Sequence, residues 1–205
     1  MRTIQAISSH RENTTHHHLN PSCKMTNTDT FALPGHIFIN PAPDRLLTHM
    51  EEIAIVEVPD QQVLGITKIG SYTLIPHLLM QLVGYIMEKK YPFAGMPTFL
   101  CHETSVECVK EANEKGTAKI EVVWPVAGKV SGSGDIRAYT LPGGKMVRTV
   151  HRGPYDTCEP TYLALFAWIE DHHLQITGPI RELYPNNPRE VKPEEILTEI
   201  LVPVR

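Results

Sequence analysis

Residues 151–155 read His-Arg-Gly-Pro-Tyr, and a helical pattern begins directly after them. Glycine and proline restrict the backbone here, so this stretch predicts a sharp turn from a strand into a helix. A related turn, Gly70-Ser71-Tyr72, lies 83 residues earlier and also leads into a helical pattern. The recurrence of the turn predicts that the chain repeats one structural unit.

The shift of 83 residues brings further positions of the two halves into register. It aligns Ile53 with Ile136, Pro59 with Pro142, and Gly95 with Gly178. After a five-residue adjustment, Glu121–Val126 aligns with Glu199–Val204. The pattern predicts an internal duplication, with copy one at residues 50–127 and copy two at residues 134–205.

Each copy reads as two strands, a helix and two further strands. In copy one the elements are Glu52–Val58, Gln62–Ile69, Thr73–Lys90, Thr98–Glu103 and Thr117–Pro125. In copy two they are Ile136–Leu141, Lys145–His151, Asp156–Leu174, Ile180–Tyr184 and Ile196–Pro203. Pro59-Asp60 and Pro142-Gly143-Gly144 predict short hairpins, and Asn113–Gly116 predicts a polar loop. The predicted fold class is α+β, with duplicated β-α-β-β units and an antiparallel sheet.

Two such units can pair about a pseudo-two-fold axis with the helices on one face of the sheet. We expect a ligand pocket between the copies, either on the opposite face or at the seam. Phe99 in copy one corresponds to Glu182 in copy two, and Cys101 corresponds to Tyr184. Side chains two residues apart share a strand face, so Glu182 and Tyr184 should point the same way.

Composition excludes several classes of protein. The chain has 205 residues, of which 41% are hydrophobic and 20% are charged, so disorder throughout is excluded. Its net charge of -4 does not favour direct nucleic-acid binding. There is no apolar run of about 18 residues and no secretory signal pattern, so neither a membrane span nor export is predicted. Four scattered cysteines fit reduced thiols in the cytoplasm.

Residues 1–48 differ from the rest of the chain. They carry a net charge of +1, lack hydrophobic periodicity, and are interpreted as a flexible leader or arm. They contain no paired amphipathic helices of a helix-turn-helix kind. Residues 49–205, with a net charge of -5, are predicted to form the folded domain.

The cysteines and histidines match no recurrent metal-binding pattern, so neither a metal nor a cofactor is predicted. The nucleophile motif G-x-S-x-G is missing as well. Ser131-Gly132-Ser133-Gly134 precedes a strand rather than opening a helix, so it is interpreted as a linker between the copies and not as a phosphate cradle.

Three motifs in this order resemble the gyrase-inhibitor-like small-molecule-binding family. They are His151–Tyr155, the G-x-x-x-E-x-Y pattern of Gly178–Tyr184, and the ending Glu199–Val204. This family includes effector-binding domains of AraC-type and MerR-type multidrug-sensing transcription regulators. The resemblance covers roughly residues 50–205. It implies a duplicated fold with a central pocket that binds hydrophobic, often cationic, molecules through an acidic residue and aromatic side chains.

The family's acidic residue maps onto Glu182, which we predict to be the anion of the pocket. The predicted ligand-binding residues are Glu182, Tyr184, Trp124, Phe99, Cys101 and Tyr155. The alternative is a solvent-exposed Glu182 that pairs with Arg181 or Arg189. Met146 stands where a tyrosine is common in the family, and this departure bears on catalysis more than on binding.

Three functions are open at this point. The first is a stand-alone binding protein that senses or sequesters a small hydrophobic or cationic molecule. The second is a hydrolase of reactive cyclopropane-containing toxins, in which Glu182 would be catalytic. The third is a protein partner that modulates DNA gyrase.

Overall fold

A computed structural model describes residues 50–103 and 105–205, which contain eight strands and three α-helices. The strands are β1 (Ala54–Val58), β2 (Gln61–Gly70), β3 (Thr98–Cys101), β4 (Ala118–Pro125), β5 (Ile136–Leu141), β6 (Gly144–Arg152), β7 (Ile180–Leu183) and β8 (Leu197–Pro203). The helices are α1 (Ile75–Glu88), α2 (Val106–Lys115) and α3 (Glu159–Asp171). These elements confirm the α+β class. The predicted leader, residues 1–48, lies outside the described residues.

The turn at residues 151–155 has the conformation that its sequence predicts. Gly153 has a φ of 136°, a region of backbone space that side chains strongly disfavour. Tyr155 then begins a one-turn 3-10 helix that leads into α3. His151 is 1% exposed, and its Nδ1 lies 2.9 Å from the Thr161 hydroxyl. These contacts fix the end of β6 against the start of α3.

The helix α2 lies where the sequence predicts only a polar loop, so that prediction is wrong. The Ser105 hydroxyl accepts a hydrogen bond from the Cys108 amide and caps the start of the helix. Gly116, with a φ of 62°, ends it in the left-handed conformation. Local capping therefore defines both ends of the helix, and Val109 and Ala112, three residues apart, pack one side of it against the apolar core.

All eight strands form one antiparallel sheet in the order β1-β6-β8-β7-β3-β4-β2-β5. The sheet curls into a half-barrel. The predicted hairpins are wrong, because β1 pairs with β6 and β5 pairs with β2. The first strand of residues 50–127 therefore lies beside the second strand of residues 134–205, and the first strand of residues 134–205 lies beside the second strand of residues 50–127.

Two short links, residues 59–60 between β1 and β2 and residues 142–143 between β5 and β6, contact each other. The Gly143 amide donates a hydrogen bond to Asp60 Oδ1 at 2.6 Å. A Cβ atom added at Gly143 would lie 2.0 Å from the Val58 carbonyl oxygen. Residues 59–60 and 142–143 therefore cross in direct contact, and only glycine fits at the crossing.

The two faces of the sheet bury different clusters. On one face α1 packs through residues at helical spacing, which are Ile75, Leu78, Leu79, Leu82 and Ile86. The opposite face has a smaller apolar cluster of Val63, Leu100, Val123 and Leu141. Phe99 and Cys101 belong to the helix-side cluster, whereas Leu100 belongs to the other. Strand alternation therefore separates two chemically distinct surfaces.

Among the described residues, no helix has the length and apolar character needed to cross a membrane.

Replacing Gly143 with alanine tests the crossing of the links. Because the new methyl group would meet backbone rather than a movable side chain, we expect a loss of about 2–3 kcal/mol in unfolding free energy. Gly84→Ala is the control. It lies in α1 with nothing within 4 Å of the added atom, so it should stabilise by up to about 1 kcal/mol. Urea denaturation measures both, and a Gly143→Ala protein as stable as the unmutated one would contradict the crossing.

Candidate functional site

Glu182 lies in the central strand β7, directly opposite Phe99 of β3 and Ile200 of β8. It is 5% exposed and points toward the helices rather than toward the smaller cluster. The neighbours on both sides are fully buried apolar residues. The strand register therefore holds one carboxylate inside the apolar core.

Two tyrosine hydroxyls donate hydrogen bonds to this carboxylate. Tyr162 of α3 donates to Oε1, and Tyr184 donates to Oε2 at 3.0 Å. Tyr184 follows β7 by one residue and shares a strand face with Glu182, as the sequence predicts. The helix and the sheet thus contribute one phenol each.

Burial dominates the electrostatics of Glu182. Loss of solvent raises its pKa. The hydrogen bonds from Tyr162 and Tyr184 stabilise the charged form and so lower the pKa in part. Burial and the neighbouring carboxylate raise the pKa of both phenols. Within residues 50–103 and 105–205, no basic side chain forms an ion pair with Glu182.

Tyr155 and Cys158, at the start of α3, border the same carboxylate. The ring of Tyr155 meets the ring of Tyr184 edge to face, with centroids 5.7 Å apart. Burial, with a contribution from Glu182, raises the pKa of Tyr155 to about 12. The same two causes raise the pKa of the Cys158 thiol, so this thiol is neutral and unreactive at neutral pH.

Residues of the first half of the domain, 50–127, supply the other side of the site. The Tyr72 ring packs edge to face on Phe99 at 5.7 Å, and its hydroxyl donates to Glu103 Oε2 at 2.7 Å. Burial, Glu103 and Glu182 together raise the pKa of Cys101. Phe99, Cys101 and Tyr155 therefore all lie around Glu182.

Trp124 lies apart from this cluster. Its indole N–H donates to the Gly95 carbonyl at 2.9 Å, and its ring packs on Phe93 at 5.0 Å. These contacts are at the end of β4, two residues beyond Val122, which pairs with Phe99. Trp124 thus faces the helix side of the sheet without contacting Glu182.

The alternative of a solvent-exposed Glu182 is wrong. Arg181 pairs with Leu100 and Leu201, and its side chain lies on the opposite face of the sheet. Arg189 is exposed in the loop that follows β7. The Glu182 carboxylate therefore lies on the helix side of the sheet.

The model of the GyrI-like small molecule binding domain matches residues 51–205. The chain belongs to this family.

Solved structures show the same fold as this GyrI-like chain. The EcmrR chain of an EcmrR–DNA complex has a TM-score of 0.67 and 21% identity over 79% of this chain, which spans 60% of that chain's length. The separate EcmrR C-terminal domain has a TM-score of 0.61 and 21% identity, covering 75% of this chain and 97% of its own. A hydrolase from Listeria innocua has a TM-score of 0.55 and 15% identity, covering 79% of this chain and 96% of its own. No curated protein matches the chain.

The contact of Tyr162 with Glu182 was not among the sequence-based predictions. The signal was present, because Tyr162 lies one helical turn before the fully buried Leu165. A polar hydroxyl at the end of an aromatic ring that faces the core needs a partner there. The only acidic residue on the facing stretch of β7 is Glu182.

The pKa of Glu182 predicts how the stability of this GyrI-like domain depends on pH. Because the pKa is higher in the folded state, the stabilising contribution of the neutral carboxyl is complete below the unfolded value, about 4.3, and is lost as pH rises through the folded value. Glu182→Gln mimics the neutral form, so its stability relative to the unmutated protein should increase with pH.

Urea denaturation from pH 4 to pH 8 measures this difference. Glu121→Gln is the control with the opposite sign, because hydrogen bonds from His102 and Tyr139 lower the pKa of Glu121. The stabilisation from Glu121 is present above the unfolded pKa and is lost as pH falls through the folded one. A stability difference for Glu182→Gln that does not change with pH would contradict the burial argument.

Proposed function

We propose that this GyrI-like domain binds a hydrophobic cation in the seam around Glu182, as a sensor or as a sequestering protein. The observation that carries the proposal is the buried carboxylate, which two phenols hold and which no described basic side chain neutralises. A charge in this position costs several kcal/mol unless an opposite charge reaches it. A bound cation would supply that charge.

The aromatic side chains suit the rest of such a ligand. Tyr155, Tyr184, Tyr72 and Phe99 surround the carboxylate and present ring surfaces from both copies. Each ring face can add about 0.5–2 kcal/mol of cation–π attraction. A contact between the ligand and Trp124 or Cys101 stays a prediction.

Ligand entry requires a local opening. Glu182 is 5% exposed, and Tyr162 of α3 covers one of its oxygens. A cation that replaces the Tyr162 hydrogen bond needs that side chain, or the turn of α3 that carries it, to move. The ligand would thus exchange one hydrogen bond for a charge pair in a site with little water.

We also propose that the domain arose by duplication, with the ligand at the pseudo-two-fold axis. The strand order supports this, because exchanging each strand of copy one with its counterpart in copy two gives the same order read from the opposite edge of the sheet. Phe99 and Glu182, which are 83 residues apart, lie directly opposite each other at the centre of the sheet. The axis would then pass between an apolar residue and a carboxylate, giving the ligand one apolar side and one charged side.

Glu182→Gln tests the binding proposal. The variant keeps the shape of the side chain but removes the charge, so the affinity for a lipophilic cation such as a rhodamine-type dye should fall at least tenfold, or about 1.4 kcal/mol. Fluorescence titration at neutral pH measures it. Glu121→Gln is the matched control, since Glu121 is also a carboxylate bound by a tyrosine but lies on the opposite face. Equal affinities of Glu182→Gln and the unmutated protein would remove the proposal.

Hydrolysis in the same site is the second candidate function. The raised pKa of Glu182 supports it, since a carboxyl group whose pKa lies above its usual range is better suited to general acid–base catalysis. Tyr162 and Tyr184 contact the same carboxylate and could orient a reacting group. A role as a partner of DNA gyrase stays a prediction.

Turnover of a reactive cyclopropane-containing compound separates the two candidates. If the site is hydrolytic, the unmutated protein should convert the compound over many cycles, and Glu182→Gln should lose the activity while Glu121→Gln keeps it. Product analysis by mass spectrometry is the measurement. Stoichiometric binding without conversion would leave the binding function and exclude this hydrolysis.

A further inference from the structure

The face of the sheet opposite the cation site contains a second buried charge. Arg181 precedes Glu182 in β7 and is 5% exposed. Its strand neighbours are Leu100 of β3 and Leu201 of β8, and Leu100 belongs to the smaller apolar cluster of the sheet. The guanidinium group therefore lies in apolar surroundings on a face that is separate from Glu182.

The hydrogen bonds of this guanidinium group are incomplete. Its Nη2 donates to the Pro142 carbonyl at 2.5 Å, whereas its buried Nε has no partner among the described residues. None of the described carboxylates forms an ion pair with Arg181. Burial lowers the pKa of the Arg181 guanidinium group.

The carboxylates on the same face are already engaged. Glu121 lies 2.8 Å from His102 Nε2 and also accepts a hydrogen bond from Tyr139. Glu199, two residues from Leu201, accepts from Arg148 Nε at 2.5 Å. Neither carboxylate can rotate toward Arg181 without losing these contacts, so the described residues leave the positive charge of Arg181 uncompensated.

We propose that the face opposite the cation site binds a small oxyanion, such as a carboxylate or sulfate group, at Arg181. A guanidinium group offers parallel N–H donors that match the two oxygens of such a group, and Nε is the donor left over. The Pro142 carbonyl holds the guanidinium group at the crossing of the two links. An anion bound there would compensate the buried charge and hold Arg181 in its contact with the link at Pro142.

Thermal unfolding in sulfate and in acetate tests this site. Sodium chloride at the same ionic strength controls for general salt effects. Anion binding to the folded state alone should raise the midpoint of the unmutated protein with the logarithm of anion concentration, by about 3–5 °C at ten times the dissociation constant. Arg181→Met should lose this increment, and Arg189→Met, which removes an exposed charge from the following loop, should keep it.

The outcomes are distinguishable. Equal increments in Arg181→Met and the unmutated protein would overturn the proposal. If Arg181→Met does not fold, NMR of the unmutated protein labelled with ¹⁵N-arginine replaces it, because the Arg181 Nε–H resonance should shift saturably with sulfate. A resonance that does not move with either anion would overturn the proposal as well.

Discussion

The carboxylate of Glu182 is buried between the central strand of a curled sheet and a helix, and two tyrosine hydroxyls hold it there. Other features of the site are arranged around this interaction. The hydrogen bond from Tyr162 connects α3 to β7. The hydrogen bond from Tyr184 holds its ring where Tyr155 packs against it. The two phenols stabilise the charged form while burial opposes it. Because it is buried, the carboxylate would interact more strongly with a nearby positive charge than an exposed carboxylate would.

The strand β7 is the element that carries this arrangement. It lies between β3 and β8, so both of its edges are paired. Because side chains alternate along a strand, consecutive residues of β7 are buried on opposite faces of the sheet. Glu182 enters the helix side, and Arg181 enters the other side beneath the crossing links. The crossing links thus contact Arg181 on one face, and Tyr162 of α3 contacts Glu182 on the other.

Much of this could be predicted from the sequence. Period-2 alternation was enough to place Glu182 and Tyr184 on one side of a strand, and glycine marked the turns into both α1 and α3. Strand pairing could not be predicted, because Pro142-Gly143-Gly144 has the composition of a hairpin turn but acts as a link between distant strands. Local turn composition carries no information about which strand lies beside it.

The site itself was only partly predictable for a similar reason. Trp124 has the residue type and strand position of a pocket aromatic, yet its indole binds the Gly95 carbonyl at the end of the sheet. Tyr162 has the spacing of a core residue, yet its hydroxyl reaches Glu182. Both outcomes depend on tertiary distances between a helix or loop and the sheet, which residue spacing along the chain does not fix.

The number of protons released when a lipophilic cation binds tests whether Glu182 is the anion of the binding site. A cation favours the charged carboxylate, so binding lowers the pKa of Glu182, and affinity rises with pH through the free protein's pKa. Calorimetric titration in two buffers of different ionisation enthalpy counts these protons. Our account predicts a release of up to one proton per cation near that pKa, which disappears in Glu182→Gln. Binding with no proton release across the range from pH 4 to pH 8, unchanged by Glu182→Gln, would contradict it.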